Sequence, residues 1–321
     1  MTSPNSTFTE LVTSTLREHP SAIADNVSGN NALYTYLKKN NKITSVDGGL
    51  TIVRNLDYAE NSTFQRYSGY DELNIQASDV LTAAEYSWVQ SAVNVTASGQ
   101  QIRQNSGSNQ IFDLAKARIK NAMRTAANNM SIDLYSSGSL SNQMGGLGLI
   151  VSTAGTGTVG GIDSSTYSFW QNKYSEVSGT NTWSKSTIKG EMNKIWLTLN
   201  RGVDKPDLLV SSHDFYAAYW ESLQDLQRFA STDSATTGFN SLKYNTADIV
   251  FDSNTNFGTT AEKMYFLNTE YLELVQHTDA QWTQMDEKMA VNQDAVVIPI
   301  IWMGQLVCSW RAGQGVMIDA S

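Results

Sequence analysis

The 321-residue sequence predicts an α+β fold, and three observations carry that expectation. One helical period runs unbroken from about Asn109 to Ser136, a central block over 140–284 mixes helical periods with short apolar runs, and two more apolar runs close the chain. Read alone, the central block fits an α/β as well as an α+β domain. Single cores stop growing near roughly 250 to 300 residues, so the chain holds one large or two modest domains.

Residues 1–46 carry breakers at Pro20 and Gly29 and few large apolar side chains, which predicts an arm. Within it Leu33, Tyr34 and Leu37, followed by Lys38, Lys39 and Lys42, predict one short helix whose basic end suits the negative pole of its dipole. From Leu50 to Leu56 and from Phe64 to Ile75 the chain is β-rich and bends at Gly48, Gly49 and Gly69, which predicts a long hairpin over 47–78. Tyr86 to Val95 alternates as a further strand does.

In the long helix Ile111, Ala115, Ile119, Ala122, Ala126, Met130 and Leu134 recur at spacings of three or four. Ser108 or Asn109 is its candidate cap and Gly138 its stop. A rise of 1.5 Å per residue makes it a rod of about 40 Å, long enough to be a structural spine. Residues 139–183 are irregular and rich in Gly, Ser and Thr, and a helix from Ser186 to Arg201 follows, stopped by Gly202. Leu208 to Val210 reads as a buried strand, and Ser212 as the cap of a helix carrying Phe215, Tyr219, Leu223 and Leu226. Strands are expected at Ile249–Phe251, Met264–Leu267 and Leu272–Val275. A closing pair, Val296–Trp302 and Gln305–Trp310, turns across Met303-Gly304, with Pro299 at an edge or a bulge.

Charged residues are only 17% of the chain and the formal net charge is -9, so the surface as a whole suits neither nucleic acid nor an anionic membrane. The longest apolar run, Ala295 to Met303, is broken by Pro299 and falls short of the roughly 20 residues of a membrane span. Met1 to Leu16 lacks a basic-then-apolar leader pattern, so synthesis in the cytoplasm is expected. The single Cys308 leaves no intrachain disulfide and no multi-thiolate metal site.

Few motifs bear chemistry. Gly155, Gly157 and Gly160 spell GxGxxG after an expected strand at Leu147–Val151, but no helical period opens at the third glycine, so a loop is the expectation and a dinucleotide site is not. Ser212-His213-Asp214 holds the residue types of a hydrolase triad, yet neighbours on a helix splay apart. His19, His213 and His277 lie in three distant contexts. No catalytic residue, cofactor or metal is expected, and the chain reads as something other than an enzyme. Lys116, Lys120 and Arg124 form a like-charged row at i, i+4 and i+8 of the spine helix, with Arg118 nearby. A solvated face explains such a row; the sharper reading is that a neighbouring subunit or packaged DNA supplies the opposing anion.

The order of elements resembles a known family, as do the stretches Gly48-Gly49-Leu50-Thr51-Ile52-Val53, Gln65-Arg66-Tyr67-Ser68-Gly69-Tyr70, Gly160-Gly161-Ile162-Asp163, Val291 to Pro299 and Trp302 to Cys308. The chain is similar to the major capsid proteins of tailed bacteriophages, with the HK97-like fold. That resemblance implies an N-terminal arm over 1–46, an E-loop hairpin over 47–78, a peripheral domain over 79–139 with the spine helix, an axial domain over 140–284 and peripheral strands over 285–321. It implies a structural protein of the virion that self-assembles into pentamers and hexamers of an icosahedral head around double-stranded DNA, touching the DNA only weakly and without sequence preference. Separate scaffolding and portal proteins are the implied partners, and the family also allows a decoration protein. The Lys–Asn crosslink that some relatives form through the E-loop is excluded, because no Lys lies between Lys42 and Lys116. The rival reading, a non-catalytic surface module of the S-layer or adhesin kind, calls for a secretion signal and a strand-dominated chain, and neither is evident.

Overall fold

The computed structural model describes residues 32–104, 114–177, 184, 186–224, 242–252, 257, 263–286, 288–289 and 293–319. In chain order the elements are α1 (Ala32–Lys39), β1 (Ile43–Val46), β2 (Ile52–Asp57), β3 (Leu81–Tyr86), β4 (Val89–Ser98), α2 (Gly99–Gln104), α3 (Leu114–Leu134), α4 (Leu147–Ile150), β5 (Thr158–Val159) and β6 (Ile162–Asp163). They continue with β7 (Lys173–Val177), α5 (Ile188–Leu199), β8 (Leu208–Ser211), α6 (His213–Gln224), β9 (Leu242–Tyr244), β10 (Ala247–Phe251), β11 (Lys263–Leu267), β12 (Leu272–Gln284), β13 (Lys288–Met289), β14 (Ala295–Cys308) and β15 (Gly315–Asp319).

Two sheets organise the molecule. The first runs β1-β12-β14-β13, with β4 also paired to β14, and the second runs β7-β15-β11-β8-β10-β9. The spine helix α3 lies on the first sheet, where Ile119 and Ala122 meet Val93, Val95, Ile298 and Ile300. On the second sheet α5 and α6 cover one face, so that Leu209, Ile249, Phe266 and Met317 pack with Met192, Ile195 and Phe215. The opposite face, carrying Leu208, Val210, Tyr265 and Val316, joins a core that also takes in Leu33 and Leu37 of α1, Leu134 of α3 and Leu306 of β14. Successive strand residues point to opposite faces, so a strand covered on both sides is apolar throughout. The run Leu208-Leu209-Val210 is apolar without alternation for that reason.

The structure departs from the sequence expectations at several points. Residues 32–46, expected in an arm, belong to the body: Leu33 and Leu37 are fully buried and β1 pairs in parallel with β12. The spine helix is described from Leu114 to Leu134, and its expected cap at Ser108 or Asn109 lies outside the described residues. Leu147–Ile150 is a short helix, not a strand. The closing hairpin does not exist, because β14 is one strand whose Ala295–Gly304 pairs with β4 and whose Ile300–Cys308 pairs with β12. Pro299 thus sits in a central strand, and the bulges fall in its neighbour β12, between Gln276 and Gln281 and again at Trp282, where φ is +57°. The sheets also interleave along the chain: β12 lies within the block 140–284 but pairs in the first sheet, while β15 lies beyond it but pairs in the second.

One charge sits badly in this frame. Asp133 lies half-buried in the last turn of α3, where the helix dipole is negative, and accepts a hydrogen bond from Gln143 Nε2 at 3.2 Å. Burial pushes its carboxyl pKa up, with the Gln143 hydrogen bond opposing. A raised folded-state pKa favours the folded chain at low pH, and that contribution is lost as pH rises through the folded value. Asp133→Asn keeps the acceptor oxygen and removes the charge. It is expected to stabilise the subunit at neutral pH by a few tenths to about 1 kcal/mol, discounted for partial exposure, and to do less in mild acid. Thermal unfolding at the two pH values checks this; a loss of stability at neutral pH would refute it.

Candidate assembly surfaces

Strands β2 and β3 form an antiparallel ribbon, Ile52 opposite Tyr86 through Asp57 opposite Leu81. The lower half is built into the body. Ile52, Leu56, Ala84 and Tyr86 are buried, Arg54 pairs with Glu273 at 2.5 Å, and Glu85 donates its N–H to the carbonyl of Gly160 at 2.9 Å. Tyr86 donates its hydroxyl to the carbonyl of Cys308 at 2.8 Å, and burial raises its pKa so that it stays a neutral donor.

Beyond the last rung, Tyr58 N–H to Val80 carbonyl at 3.0 Å, the ribbon changes character. No helix or strand is present over 59–79, and among the described residues the hydrogen bonds of residues 61–79 are internal to the loop. Gln65 ties the two legs by donating to the carbonyl of Glu72 at 2.9 Å and accepting from the N–H of Asn74 at 3.2 Å. The expected strand over Phe64–Ile75 is therefore absent. Phe64, Tyr70 and Ile75 are 80%, 105% and 92% exposed, with Tyr67 and Leu73 also outward. Large apolar groups gathered on one projecting segment mark an interaction surface more than scattered ones do. The loop is also acidic, with Glu60, Asp71, Glu72 and Asp79 against Arg66 alone.

The basic row on α3 is only partly brought together. Lys120 is exposed, Arg124 is half-buried, and the side chain of Lys116 lies outside the described residues. Arg118 turns back to the sheet, donating to the carbonyl of Thr96 at 2.6 Å and to Gln101 Oε1 at 3.1 Å.

The remaining motifs resolve into structural roles. Gly160-Gly161, with φ of +59° and +77°, makes the two-residue turn between β5 and β6, and no helix opens there. A side chain at Gly160 would lie 2.8 Å from the Ala84 side chain, so the glycine lets this turn touch the ribbon. Ser212 does not cap α6 through its side chain: its buried hydroxyl has no hydrogen-bond partner among the described residues, and its carbonyl serves instead, accepting from Tyr216 N–H at 3.1 Å. His213 stands edge-on to Phe251 and His277 edge-on to Trp88, while His19 lies outside the described residues. Among the described residues no group of three or more His, Cys, Asp or Glu could hold a metal, and no helix is long and apolar enough to cross a membrane.

Sequence reasoning missed Arg311. Its side chain is fully buried and donates to the carbonyls of Ile150 at 2.6 Å, Gly157 at 3.3 Å, Trp170 at 3.3 Å and Thr156 at 3.4 Å, and to the hydroxyls of Ser164 at 2.8 Å and Ser152 at 3.3 Å. It organises the irregular segment that presents the β5–β6 turn to the ribbon. A lone arginine in an apolar tail offers no sequence signal of that role.

No protein-family model matches the chain, and no curated protein matches it. Solved structures do. The capsid of an empty GTA particle aligns with a TM-score of 0.66 at 10% identity, over 99% of this chain and 100% of that one. The cyanophage A-1(L) capsid aligns with a TM-score of 0.64 at 14% identity, over 94% and 96% of the two chains. The holo-SrpI encapsulin complex of Synechococcus elongatus PCC 7942 aligns with a TM-score of 0.60 at 7% identity, over 94% and 91%. Matched from end to end, with a ribbon-borne loop, a spine helix on one sheet and a second, helix-covered sheet, the chain has the HK97-like fold of phage capsid proteins.

Proposed function

We propose that the chain is the major capsid protein of a tailed phage, and that its copies assemble into pentamers and hexamers of an icosahedral head enclosing double-stranded DNA. The observation that carries this reading is the loop 59–79, which gathers the exposed side chains of Phe64, Tyr67, Tyr70 and Ile75 on one projecting segment. Such a surface is completed by another protein, and the fold supports a like subunit as that protein. A surface on one copy that meets a different surface on the next generates rings and lattices by repetition. We assign the first sheet with α3 to a peripheral domain and the second sheet with α5 and α6 to an axial domain. Scaffolding and portal proteins are the further partners of this reading, a decoration protein is compatible with it, and assembly would take place in the bacterial cytoplasm.

Expression of the chain alone and with a scaffolding protein, followed by negative-stain electron microscopy, tests the reading. Pentamers, hexamers or closed shells are the expected result, and a persistent monomer under both conditions would refute it. Nuclease-protected DNA inside shells from infected cells separates a phage head from a protein-loaded compartment.

The basic row gives a second check. Lys120 stands exposed on a helix that, with Lys116, Arg118 and Arg124 against Asp133, is net basic in a chain of charge -9. We propose that its anion is a neighbouring subunit or the packaged DNA. Lys120→Glu is then expected to weaken shell yield or DNA retention several-fold while leaving the thermal unfolding of the free subunit within about 0.5 kcal/mol of the parent. Unchanged yield and retention together would reduce the row to a solvated face.

A further inference from the structure

At the point where the ribbon leaves the body there is a cleft of about 750 Å³, open between the ribbon stem and the second sheet's surroundings. Its volume falls within the roughly 300–1,000 Å³ typical of ligand pockets. One wall is the stem itself, Asp57 to Asn61 with Val80, and the other includes Phe169, Lys173, Arg201 and Trp310. The far wall is already braced. The Arg201 guanidinium lies 4.0 Å over the Trp310 ring and pairs with Asp204 at 3.0 Å, while Trp310 stands edge-on to Tyr271 at 5.0 Å. Arg201 is thereby neutralised locally. Lys173 makes no side-chain hydrogen bond or ion pair among the described residues and is exposed, so it is the cation free to meet a partner. Tyr58 faces Phe169 at 5.7 Å across the base of the cleft.

The chain itself carries a segment of matching chemistry. Around the loop tip, Tyr67 and Tyr70 project their rings and are followed at once by Asp71 and Glu72. The Asp71 carboxylate is engaged by the N–H of Ser68 at 2.8 Å, whereas the Glu72 side chain makes no such bond among the described residues. We propose that the loop tip of a neighbouring copy, Tyr67 to Glu72, seats in this cleft, with its rings against Tyr58, Phe169 and Trp310 and the Glu72 carboxylate toward Lys173. The proposal rests on the coat-subunit reading and adds to it where the tip lands. The contact joins two different surfaces and therefore propagates head to tail, closing into a ring when the rotation allows.

A mechanical consequence follows from the stem being one wall of the cleft. An incoming tip presses on Tyr58 to Glu60 of the receiving subunit, the residues from which that subunit's own tip projects. Each seating event thus fixes the direction of the next tip, and ring closure becomes cooperative around the axis.

Two measurements on the full chain test this. In the double variant Tyr70→Cys/Ala59→Cys, oxidation of assembled material is expected to produce a ladder of disulfide-linked oligomers on a non-reducing denaturing gel, ending at pentamer or hexamer. Ala59 lines the cleft, and the only native cysteine, Cys308, is fully buried and stays out of the reaction. Either single variant is expected to give no ladder. In parallel, Lys173→Glu and Glu72→Lys are each expected to raise the subunit concentration needed for assembly by about tenfold, and the two together to restore it. Normal shells with only monomer bands, an intramolecular link, or charge effects that merely add would overturn the cleft contact and leave the coat reading standing. A parent protein that never assembles would overturn the coat reading, and this contact with it.

Discussion

Replacing Arg311 by methionine is expected to remove most of the folded, soluble subunit. The guanidinium is fully buried, and it donates to four carbonyls and two hydroxyls, with no carboxylate among these acceptors. Burial lowers its pKa, but a guanidinium stays charged at any pH at which the chain folds. Methionine fills a similar volume and leaves the buried carbonyls of Ile150 and Trp170 to find other donors, while the carbonyl of Thr156 keeps the hydroxyl of Ser152 at 2.8 Å. The carbonyl of Gly157 keeps the hydroxyl of Ser164 at 2.9 Å. Each buried acceptor left unsatisfied costs about 1–3 kcal/mol, so with two of them the variant should lose about 2–6 kcal/mol. That is a large part of the roughly 5–15 kcal/mol by which a domain is stable. Arg311→Lys retains charge and volume but presents its donors from one nitrogen, so it should recover less than half of the loss. Urea unfolding of the free subunit measures both. A methionine variant within about 1 kcal/mol of the parent would show that the segment from Ile150 to Trp170 holds itself together without the arginine.

The difference between what the sequence discloses and what it hides is a difference between periodicity and neighbourhood. Helix α3 is legible because Ile119, Ala122, Ala126, Met130 and Leu134 repeat on one stripe, half-buried at Ile119 and buried at the other four. Strand β8 is legible as buried because Leu208, Leu209 and Val210 admit no polar face. Leu147–Ile150 is misread as a strand because so short an apolar run fits a helix turn as well, and length cannot arbitrate. The loop 59–79 is misread as strands because its aromatic and β-branched residues stand exposed among the described residues; β-propensity reports fit to a packed surface, and we place that surface on another copy. The ribbon's true strands, Ile52–Asp57 and Leu81–Tyr86, are set by which residues find the body, through Ile52, Leu56, Ala84 and Tyr86. The cleft beside them joins residues 57–61 to 169–173, 198–201 and 310–312, a neighbourhood that no local pattern encodes. The basic row of α3 is visible as spacing, and what faces it is a property of the assembly.

Gly304 shows the same distinction at one residue, and it supports the second large prediction. A glycine between two apolar runs reads as a turn, yet Gly304 lies inside β14, opposite Val89 of β4 and Gln276 of β12. What requires glycine there is space. A Cβ would stand 2.4 Å from the carbonyl oxygen of Val275 and 2.6 Å from the Trp302 ring. The carbonyl belongs to a paired strand and cannot step aside alone, and Trp302 is nearly fully buried with Trp282 stacked 6.2 Å away. Gly304→Ala must therefore spread β12 from β14 or turn the tryptophan out of its place, and about 3 kcal/mol of destabilisation is expected, at the upper end of overpacking in a core. Gly190 is the control. It is exposed in α5, with nothing within 4 Å of the place an added methyl would take, so Gly190→Ala should stabilise by about 0.5–1 kcal/mol through helix propensity alone. Opposite signs for one chemical change, read as shifts of the unfolding midpoint, would locate the effect in the strand contact. Two shifts of the same sign would mean that backbone freedom, common to both glycines, governs the outcome, and that β12 and β14 have more room between them than the closeness of Val275 and Gly304 indicates.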